Sequence, residues 1–390
     1  MKKYCIFSAQ YLPNIGGVER YTYYIAKKIV EAGDKATIVT SYMKGEPIHE
    51  IKEGIEIYRV PCFSLMNGRF PVLKPCSNLI KIMRSLELKE FDLVIVNTRF
   101  YLHSLYGMRF AKKNKIKCIT IEHGTSHLTF NNKYLDKLEH IYEHVITFFD
   151  KLYCKDYYGV SQACCEWSGH FGIKSKGVLY NAVDIQEIEA LMEEPVTDYK
   201  SEYDISGDDV VISYTGRLLR EKGIPQLLEV VKNLKHDKRI LLFLAGDGPL
   251  DDVVRLVVEE SNDGIRKNKI IPLGRIDFPH VAALLKITDI FCLPSDSEGF
   301  PTSVLEAAAA KCFIITTYNG GAKELVKGKE YGIIMPDNRI QTLEDSISLA
   351  LKDETYRDSA IEKTYEALKR EFTFDATFGK IREIADSAGN

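Results

Sequence analysis

Short apolar runs alternate with longer amphipathic stretches along nearly the whole chain, and few folds tolerate that rhythm. It is the signature of βαβ units, in which parallel sheets are covered by helices on both faces. In the first half the strand candidates are Lys3 to Ser8, Ala36 to Thr40, Ile55 to Val60, Leu93 to Asn97, Cys118 to Glu122, Tyr157 to Val160 and Gly177 to Tyr180. Helical stretches fit between them, notably Val18 to Ala32 and Tyr101 to Lys113. The series restarts at Val210 to Tyr214 and continues through Ile240 to Ala245, Lys269 to Pro272, Ile290 to Leu293, Phe313 to Thr316 and Gly332 to Met335. That predicts a second sheet. Helices follow over Thr342 to Lys352 and Glu354 to Glu371, and a last one runs beyond Phe372-Thr-Phe-Asp375 to about Ala385.

A length of 390 residues suits two α/β domains. The polar segment Glu193 to Asp209, with Pro195 and Gly207, reads as the linker. A content of 45% hydrophobic and 27% charged residues excludes a disordered, collagenous or multi-span membrane protein. No apolar run approaches the ~18 residues of a spanning helix, which leads to a cytoplasmic expectation. The nine cysteines contain no C-x-x-C, so neither a structural zinc nor a disulfide framework is expected. Net charge is -3 overall, but residues 1–180 carry 26 Lys+Arg against 17 Asp+Glu, leaving 26 against 38 in the remainder. Opposite signs suggest two domains with different partners, and equally fit solvated surfaces. A negative total and the lack of a recognisable motif argue against nucleic acid.

Four loops of the second half follow strands. Glu298-Gly-Phe-Pro-Thr-Ser-Val-Leu-Glu306 places Thr302 and Ser303 at a helix start, where N–H groups and the dipole favour a phosphate. Glu298 and Glu306 flank that position, and carboxylates there suit sugar or ribose hydroxyls; helix capping beside an incidental Glu fits as well. Tyr214-Thr-Gly216-Arg217-Leu-Leu-Arg-Glu-Lys222-Gly223 offers a guanidinium fork and a mobile ammonium suited to a diphosphate, although isolated residues of this kind are more often surface charges. Ala245-Gly-Asp-Gly-Pro249 lacks the third glycine of a dinucleotide fingerprint and reads as a tight turn. Gly320-Gly-Ala-Lys-Glu324 supplies the fourth loop. In the first half, Pro13-Asn-Ile-Gly16-Gly17-Val-Glu19 and Glu122-His123-Gly124 sit at strand-to-helix edges.

The ordered set GGVE, EHG, GVS, YNAVD, TGRLLREKG, AGDGP, EGFPTSVLEA and GGAKEL resembles the GT-B glycosyltransferases of family 4 (group 1), from Gly16 to Glu324, with an FTFD crossing near Phe372. The resemblance implies two Rossmann-like parallel-sheet domains facing each other across a cleft. Residues 1–192 would bind the acceptor and residues 193–372 the nucleotide-sugar donor, with the helix of about 373–390 returning to the first domain. It further implies a retaining transferase that moves a hexose or N-acetylhexosamine from a nucleotide-diphospho-sugar, a UDP-sugar by family habit, without a metal or other cofactor. Arg217 and Lys222 would neutralise the diphosphate, Glu306 would hold the ribose, and Glu298 would hold the donor sugar beside backbone groups of Gly299, Phe300, Pro301, Thr302 and Ser303. His123 would meet the sugar near the reacting carbon, and Gly16, Gly17 and Gly216 would admit the phosphates. Gly274 and Arg275 fall where that family's base-binding loop lies. Pro301 stands where the commonest version has glycine, and Ala310-Lys311-Cys312 departs from a glycine-containing stretch, which puts the packing of the next strand in question.

Other readings remain. His140-Ile-Tyr-Glu143-His144 matches the H-x-x-E-H of some zinc peptidases, but short patterns arise by chance and the region from Asn132 to Phe149 reads as an ordinary amphipathic helix. A sugar-nucleotide epimerase or a non-catalytic binder of similar architecture would bind a donor without transferring it. No D-x-D occurs, against a metal-dependent GT-A enzyme. Arg109 to Lys117, with Lys81, Arg84 and Lys89, gathers positive charge where the acceptor should bind. That suits a peripheral enzyme on an anionic membrane acting on a lipid-linked glycan for a surface polysaccharide, and equally an ordinary basic helix end.

Overall fold

Continuous apolar runs make strands that are buried on both faces, and the computed structural model arranges them in two units. It describes residues 1–13, 16–65, 70–127, 133–261 and 267–387. Asn14, Ile15 and Asn132 of the segments discussed above lie outside that set. The first unit comprises Met1–Ala182 with Phe374–Asn390, and the second Val183–Thr373.

The first unit runs β1 (Lys3–Ser8), α1 (Gly17–Glu31), β2 (Lys35–Ser41), β3 (His49–Lys52), β4 (Ile55–Val60), β5 (Cys62–Leu65) and β6 (Phe70–Leu73). It continues with α2 (Ser77–Glu87), β7 (Leu93–Asn97), α3 (Leu102–Lys113), β8 (Lys117–Glu122), α4 (Lys133–Tyr153), β9 (Asp156–Gly159), α5 (Gln162–Gly169) and β10 (Gly177–Val178). Its sheet has the order β10-β9-β8-β7-β1-β2-β4-β3, parallel except for the edge strand β3. A separate antiparallel hairpin pairs β5 with β6.

The second unit runs α6 (Ile185–Glu193), α7 (Tyr199–Glu202), β11 (Val210–Thr215), α8 (Ile224–Asn233), β12 (Ile240–Ala245), α9 (Asp251–Ser261), β13 (Lys269–Gly274) and α10 (Phe278–Lys286). Then come β14 (Ile290–Leu293), α11 (Thr302–Ala309), β15 (Phe313–Thr317), α12 (Ala322–Leu325), β16 (Ile333–Met335), α13 (Ile340–Lys352) and α14 (Glu354–Glu371). The strand order β13-β12-β11-β14-β15-β16 is the doubly wound one, and its direction reverses between β11 and β14. Ligands of such sheets bind at the carboxyl ends of the two strands flanking the reversal, because the crossovers there leave the rim on opposite faces.

The polar stretch Glu193–Asp209 is therefore inside the second unit and not between the two. Tyr199, buried at its middle, packs on Phe243, and Asp198 caps α7. Helix α6 also belongs there: Ile188 is buried, Tyr365 donates to Glu189 at 2.6 Å, and Val183 bridges Thr373. Lys311 takes the left-handed position (φ 59°) that a glycine would favour, while Cys312 is buried and β15 pairs along its length. The substitution thus costs local backbone strain and leaves the following strand intact.

The last helix, α15 (Phe374–Asp386), is assigned to the first unit by its aromatic side chains. Phe374 stacks on Tyr24 at 4.6 Å and meets Tyr21 edge-on, Phe378 meets Tyr4, and Thr377 donates to the Tyr180 carbonyl. Because Phe374 is buried, Phe374→Ala should lower the stability of the first unit by about 3–5 kcal/mol. Urea unfolding followed by hydrogen exchange checks this: amides of β1 should lose protection while those of β12 keep theirs.

Candidate functional site

At the switch point of the second sheet the chain builds a rim from loops that approach one another by backbone. After β11, Gly216 receives the neighbouring loop so closely that a Cβ at Gly246 would stand 1.9 Å from the Gly216 carbonyl oxygen. Leu218 N–H donates to Asp247 O at 2.8 Å and Gly246 N–H to Gly274 O at 2.7 Å, which joins the β11, β12 and β13 loops. On the other side, Gly223 (φ 71°) lies against Pro294, where a Cβ would meet its carbonyl oxygen at 2.2 Å. Asp296 N–H donates to Glu221 O at 2.7 Å, and Gly321 N–H to Gly299 O at 2.8 Å. The loops that follow β11, β12, β14 and β15 are thus one laced assembly.

The side chains on this rim differ in exposure. Arg217 and Arg275 are exposed; Tyr214 donates to the Arg217 carbonyl at 2.8 Å and so fixes the backbone while leaving the guanidinium to solvent. Lys222 bonds Glu298 at 2.5 Å and the Ser297 carbonyl at 3.3 Å. Thr302 and Ser303 open α11 and are half-buried, with Pro301 at the cap position and no side-chain cap. Glu306, one turn in, is buried. Phe300 turns inward onto Phe372, so this residue offers the rim its backbone only. Gly274 closes β13 with φ 63°.

A second rim lies at the carboxyl ends of β1, β7 and β8 in the first unit. Gly16 stands at the cap position of α1 in extended backbone, and Gly17 begins the helix. Asn97 Nδ2 donates to Thr22 at 2.7 Å, which turns its Oδ1 toward His123 Nε2 at 3.2 Å. His123 therefore carries its proton on Nε2 and keeps Nδ1 as an acceptor. Burial pushes its pKa down to about 3, and Tyr21 packs edge-on against the ring at 5.0 Å. The backbone N–H groups of His123 and Gly124 both donate to Glu122. Glu122 in turn pairs with buried Arg99 at 2.9 Å, which also holds Glu143 at 2.8 Å and Thr147 at 3.0 Å and lies 3.5 Å over the Phe171 ring. Burial raises the Glu122 pKa against the pull of Arg99. Burial also pushes the neighbouring Glu139 carboxyl up to about 9, so it carries a proton beside Glu143, whose charge Arg99 supports.

Helix α4 is not the ordinary amphipathic helix expected. Its carboxylates Glu139, Glu143 and Asp150 are buried, whereas Tyr134, Leu138, Ile141, Val145, Phe148 and Leu152 form an outward stripe, from 47% exposed at Leu152 to 85% at Tyr134. Beside it an apolar groove of about 1020 Å³ runs between α2, α3 and α4, lined by Leu79, Leu105, Val145 and Phe149, with Arg109 among its walls. Among the described residues no helix is long and apolar enough to cross a membrane.

Two family models match the chain, one described as glycosyl transferases group 1 over residues 195–367 and one as glycosyltransferase family 4 over residues 15–187. The chain belongs to the group 1 glycosyltransferases of the GT-B fold. It is 26% identical to an uncharacterized glycosyltransferase of Methanocaldococcus jannaschii, over 100% of this chain and 99% of that one. It is 25% identical to the phosphatidylinositol N-acetylglucosaminyltransferase GPI3 subunit of Saccharomyces cerevisiae, over 81% of this chain and 68% of that one. In fold it is similar to Anabaena HepE, solved in complex with UDP-glucose, with a TM-score of 0.74, 16% identity, and 99% and 100% of the two chains covered.

In this glycosyltransferase the predicted residues Gly216, Arg217, Lys222, Gly274, Arg275, Glu298 to Ser303 and Glu306 occur on the rim of one sheet, and Gly16, Gly17 and His123 on the rim of the other. The peptidase-like motif does not form a peptidase site, because Glu143 is buried against Arg99 and is no free base. The basic patch is partly spent: Lys89 pairs with Glu56, Lys113 with Glu87, and Lys117 bonds the Ile384 carbonyl. Lys81, Arg84 and Arg109 form no ion pair among the described residues and are exposed. Sequence reasoning missed Arg99, whose partners are far along the chain, and the Lys222–Glu298 pair.

The environment of His123 gives a pH prediction. With a folded pKa of about 3 against ~6.5 unfolded, the unfolded chain takes the proton first, so this residue's contribution to stability is complete above pH ~6.5 and is lost as pH falls toward 3. Buried His103, also pushed down to about 3, adds a second such term. Neither imidazole should titrate between pH 5 and 8 in histidine-resolved NMR, and His123→Asn should flatten the acid limb of stability.

Proposed function

We propose that this enzyme transfers a hexose or N-acetylhexosamine from a UDP-sugar, with retention of configuration, to a glycan or lipid-linked acceptor in surface polysaccharide synthesis. The observation that carries the donor half is the laced rim at the switch point, where Arg217, Lys222, Glu298 and Glu306 meet the start of α11. The diphosphate competes with Glu298 for Lys222; Lys222 and Arg217 then take up the charge of the departing nucleotide, and Glu298 turns to the sugar hydroxyls. On the rim of the first unit, Gly16 and Gly17 leave the backbone open to a ligand, and His123, neutral with Nδ1 as acceptor, accepts from a sugar hydroxyl. Gly274 and Arg275 lie beside the base. As the bond to the diphosphate breaks, the acceptor hydroxyl attacks from the same face, and its proton passes to a donor phosphate oxygen. Two side-chain cations and helix N–H groups supply the positive field, so the step runs without a metal ion. The yeast relative's activity, transfer of N-acetylglucosamine to phosphatidylinositol, and the UDP-glucose held by HepE support the substrate classes.

Nucleotide release from UDP-, GDP- and ADP-sugars in the presence of chelator tests this. Release from one donor should persist with chelator, and Arg217→Ala should lower turnover by about 10²–10³-fold, the loss typical of removing one oxyanion donor. Unchanged turnover of Arg217→Ala at saturating donor sinks the assignment.

The acceptor half rests on α4. An exposed apolar stripe beside an apolar groove with Arg109 in its wall, and with exposed Lys81 and Arg84 on the α2 helix that lines it, fits the interface of an anionic bilayer at a cytoplasmic face and the chain of a lipid-linked acceptor. Each basic side chain near the surface adds about 1 kcal/mol. The protein should co-sediment with anionic liposomes at low salt, and Leu138→Asp with Phe148→Asp should release it while leaving donor hydrolysis unchanged. Absence of co-sedimentation by the wild type removes the membrane reading.

A further inference from the structure

The rim that carries His123 ends in a group of imidazoles that the transfer chemistry does not use. His127 lies in the loop after β8, His144 on α4 and His170 at the carboxyl end of α5, and one ligand atom from each lies within 4.8 Å of the other two. His144 and His170 are exposed and His127 is half-buried, so an ion reaches the group from solvent. The surroundings hold the rings in place. Glu143 Oε2 stands 3.2 Å from His127 Nδ1 and is itself fixed by Arg99, while His170 stacks on Trp167 at 4.9 Å with the planes 6° apart. Metal-binding histidines are oriented in this way, one ring nitrogen facing a carboxylate and the other facing the ion.

We propose that His127, His144 and His170 bind one divalent ion of the zinc class. Three imidazoles with solvent access match the donor preference of zinc, nickel and cobalt and are a poor match for magnesium or calcium, which take oxygen ligands. Bound there, the ion ties the loop after β8 to α4 and α5 and so fixes the segment that begins at His123. It is a structural ion carried by elements of the first unit alone. His127 is also shared with a second arrangement, in which Glu139 and His140 lie within 4.8 Å, and the test separates the two.

Trp167 is the only tryptophan of the chain, and its stacking on His170 makes its fluorescence a local reporter. Untagged full-length protein, stripped with chelator and dialysed, is titrated with Ni²⁺ and then with Zn²⁺ as competitor. The expected result is saturable quenching at one equivalent, reversed by chelator and by Zn²⁺, together with a higher thermal midpoint in the presence of Zn²⁺. His144→Ala, which keeps the tryptophan stack, should weaken binding by at least about tenfold, as should His170→Ala measured by equilibrium dialysis, whereas His140→Ala should bind as the wild type does. Circular dichroism melts without metal establish that each variant is folded. Quenching that stays linear into the millimolar range, or an unchanged affinity in folded His144→Ala, overturns the proposal. Loss of binding in His140→Ala with retention in His144→Ala overturns the choice of ligands. The readout is fluorescence and not turnover, so the result is independent of the donor reading.

Discussion

Everything at the rim of the second sheet depends on how closely its loops approach by backbone. A side chain at Gly246 or Gly223 would overlap a carbonyl oxygen of the next loop, at 1.9 Å and 2.2 Å respectively. Those glycines are therefore what allows four crossovers to converge at the point where the strand order reverses, and the convergence brings charges from distant segments into one place. Lys222 reaches Glu298 because Gly223 lets its loop lie on Pro294. The ion pair follows from the packing: with the loops laced, the cation and the carboxylate are held near each other, and in the proposed reaction a diphosphate would only exchange one anionic partner of Lys222 for another. Such preorganisation lowers the reorganisation needed as charge develops.

The first unit uses a buried cation for a similar purpose. Arg99 is fully buried between Glu122 and Glu143, and removing it would leave two carboxylates without a counter-charge, a loss that typically costs about 3–5 kcal/mol. Its geometry transmits position in two directions. Through Glu122 it holds the N–H groups of His123 and Gly124, and through Glu143 it holds the ring of His127. A single guanidinium thus orients both the histidine of the sheet rim and the start of the imidazole group.

The fold was largely legible in the chain because parallel strands buried on both faces read as unbroken apolar runs, such as Ile240-Leu-Leu-Phe-Leu-Ala245. What escaped was whatever lacks that pattern. Strand β3, His-Glu-Ile-Lys, is a polar edge, and the hairpin of β5 and β6 is too short to show a period. The segment 193–209 is rich in loop-forming residues yet buries Tyr199, so composition suggested a linker where packing made part of a unit. The grouping of Arg217, Lys222, Glu298 and Glu306 on one rim was legible because glycine and charge recur at the ends of strands. Arg99, Glu122 and Glu143 were not, since no local spacing ties three residues on separate elements, and the same holds for His127, His144 and His170.

Helix α4 shows why hydropathy alone assigns a helix a face but not a direction. Its apolar residues recur at steps of four and three from Tyr134 to Leu152, the pattern of a helix that covers a core, yet they point outward. The reversal has a physical source on the opposite side. Arg99 must be matched by carboxylate, and Glu143 supplies it only if that face of α4 turns inward, taking Glu139 and Asp150 with it. Burial leaves Glu139 protonated and raises the pKa of Asp150, so the helix buries acids at a bearable electrostatic cost. One consequence of a buried arginine is therefore an apolar stripe on the surface, bordered by Arg109 and the groove. In water such a stripe is unfavourable, and it is this face that the proposed bilayer contact would cover.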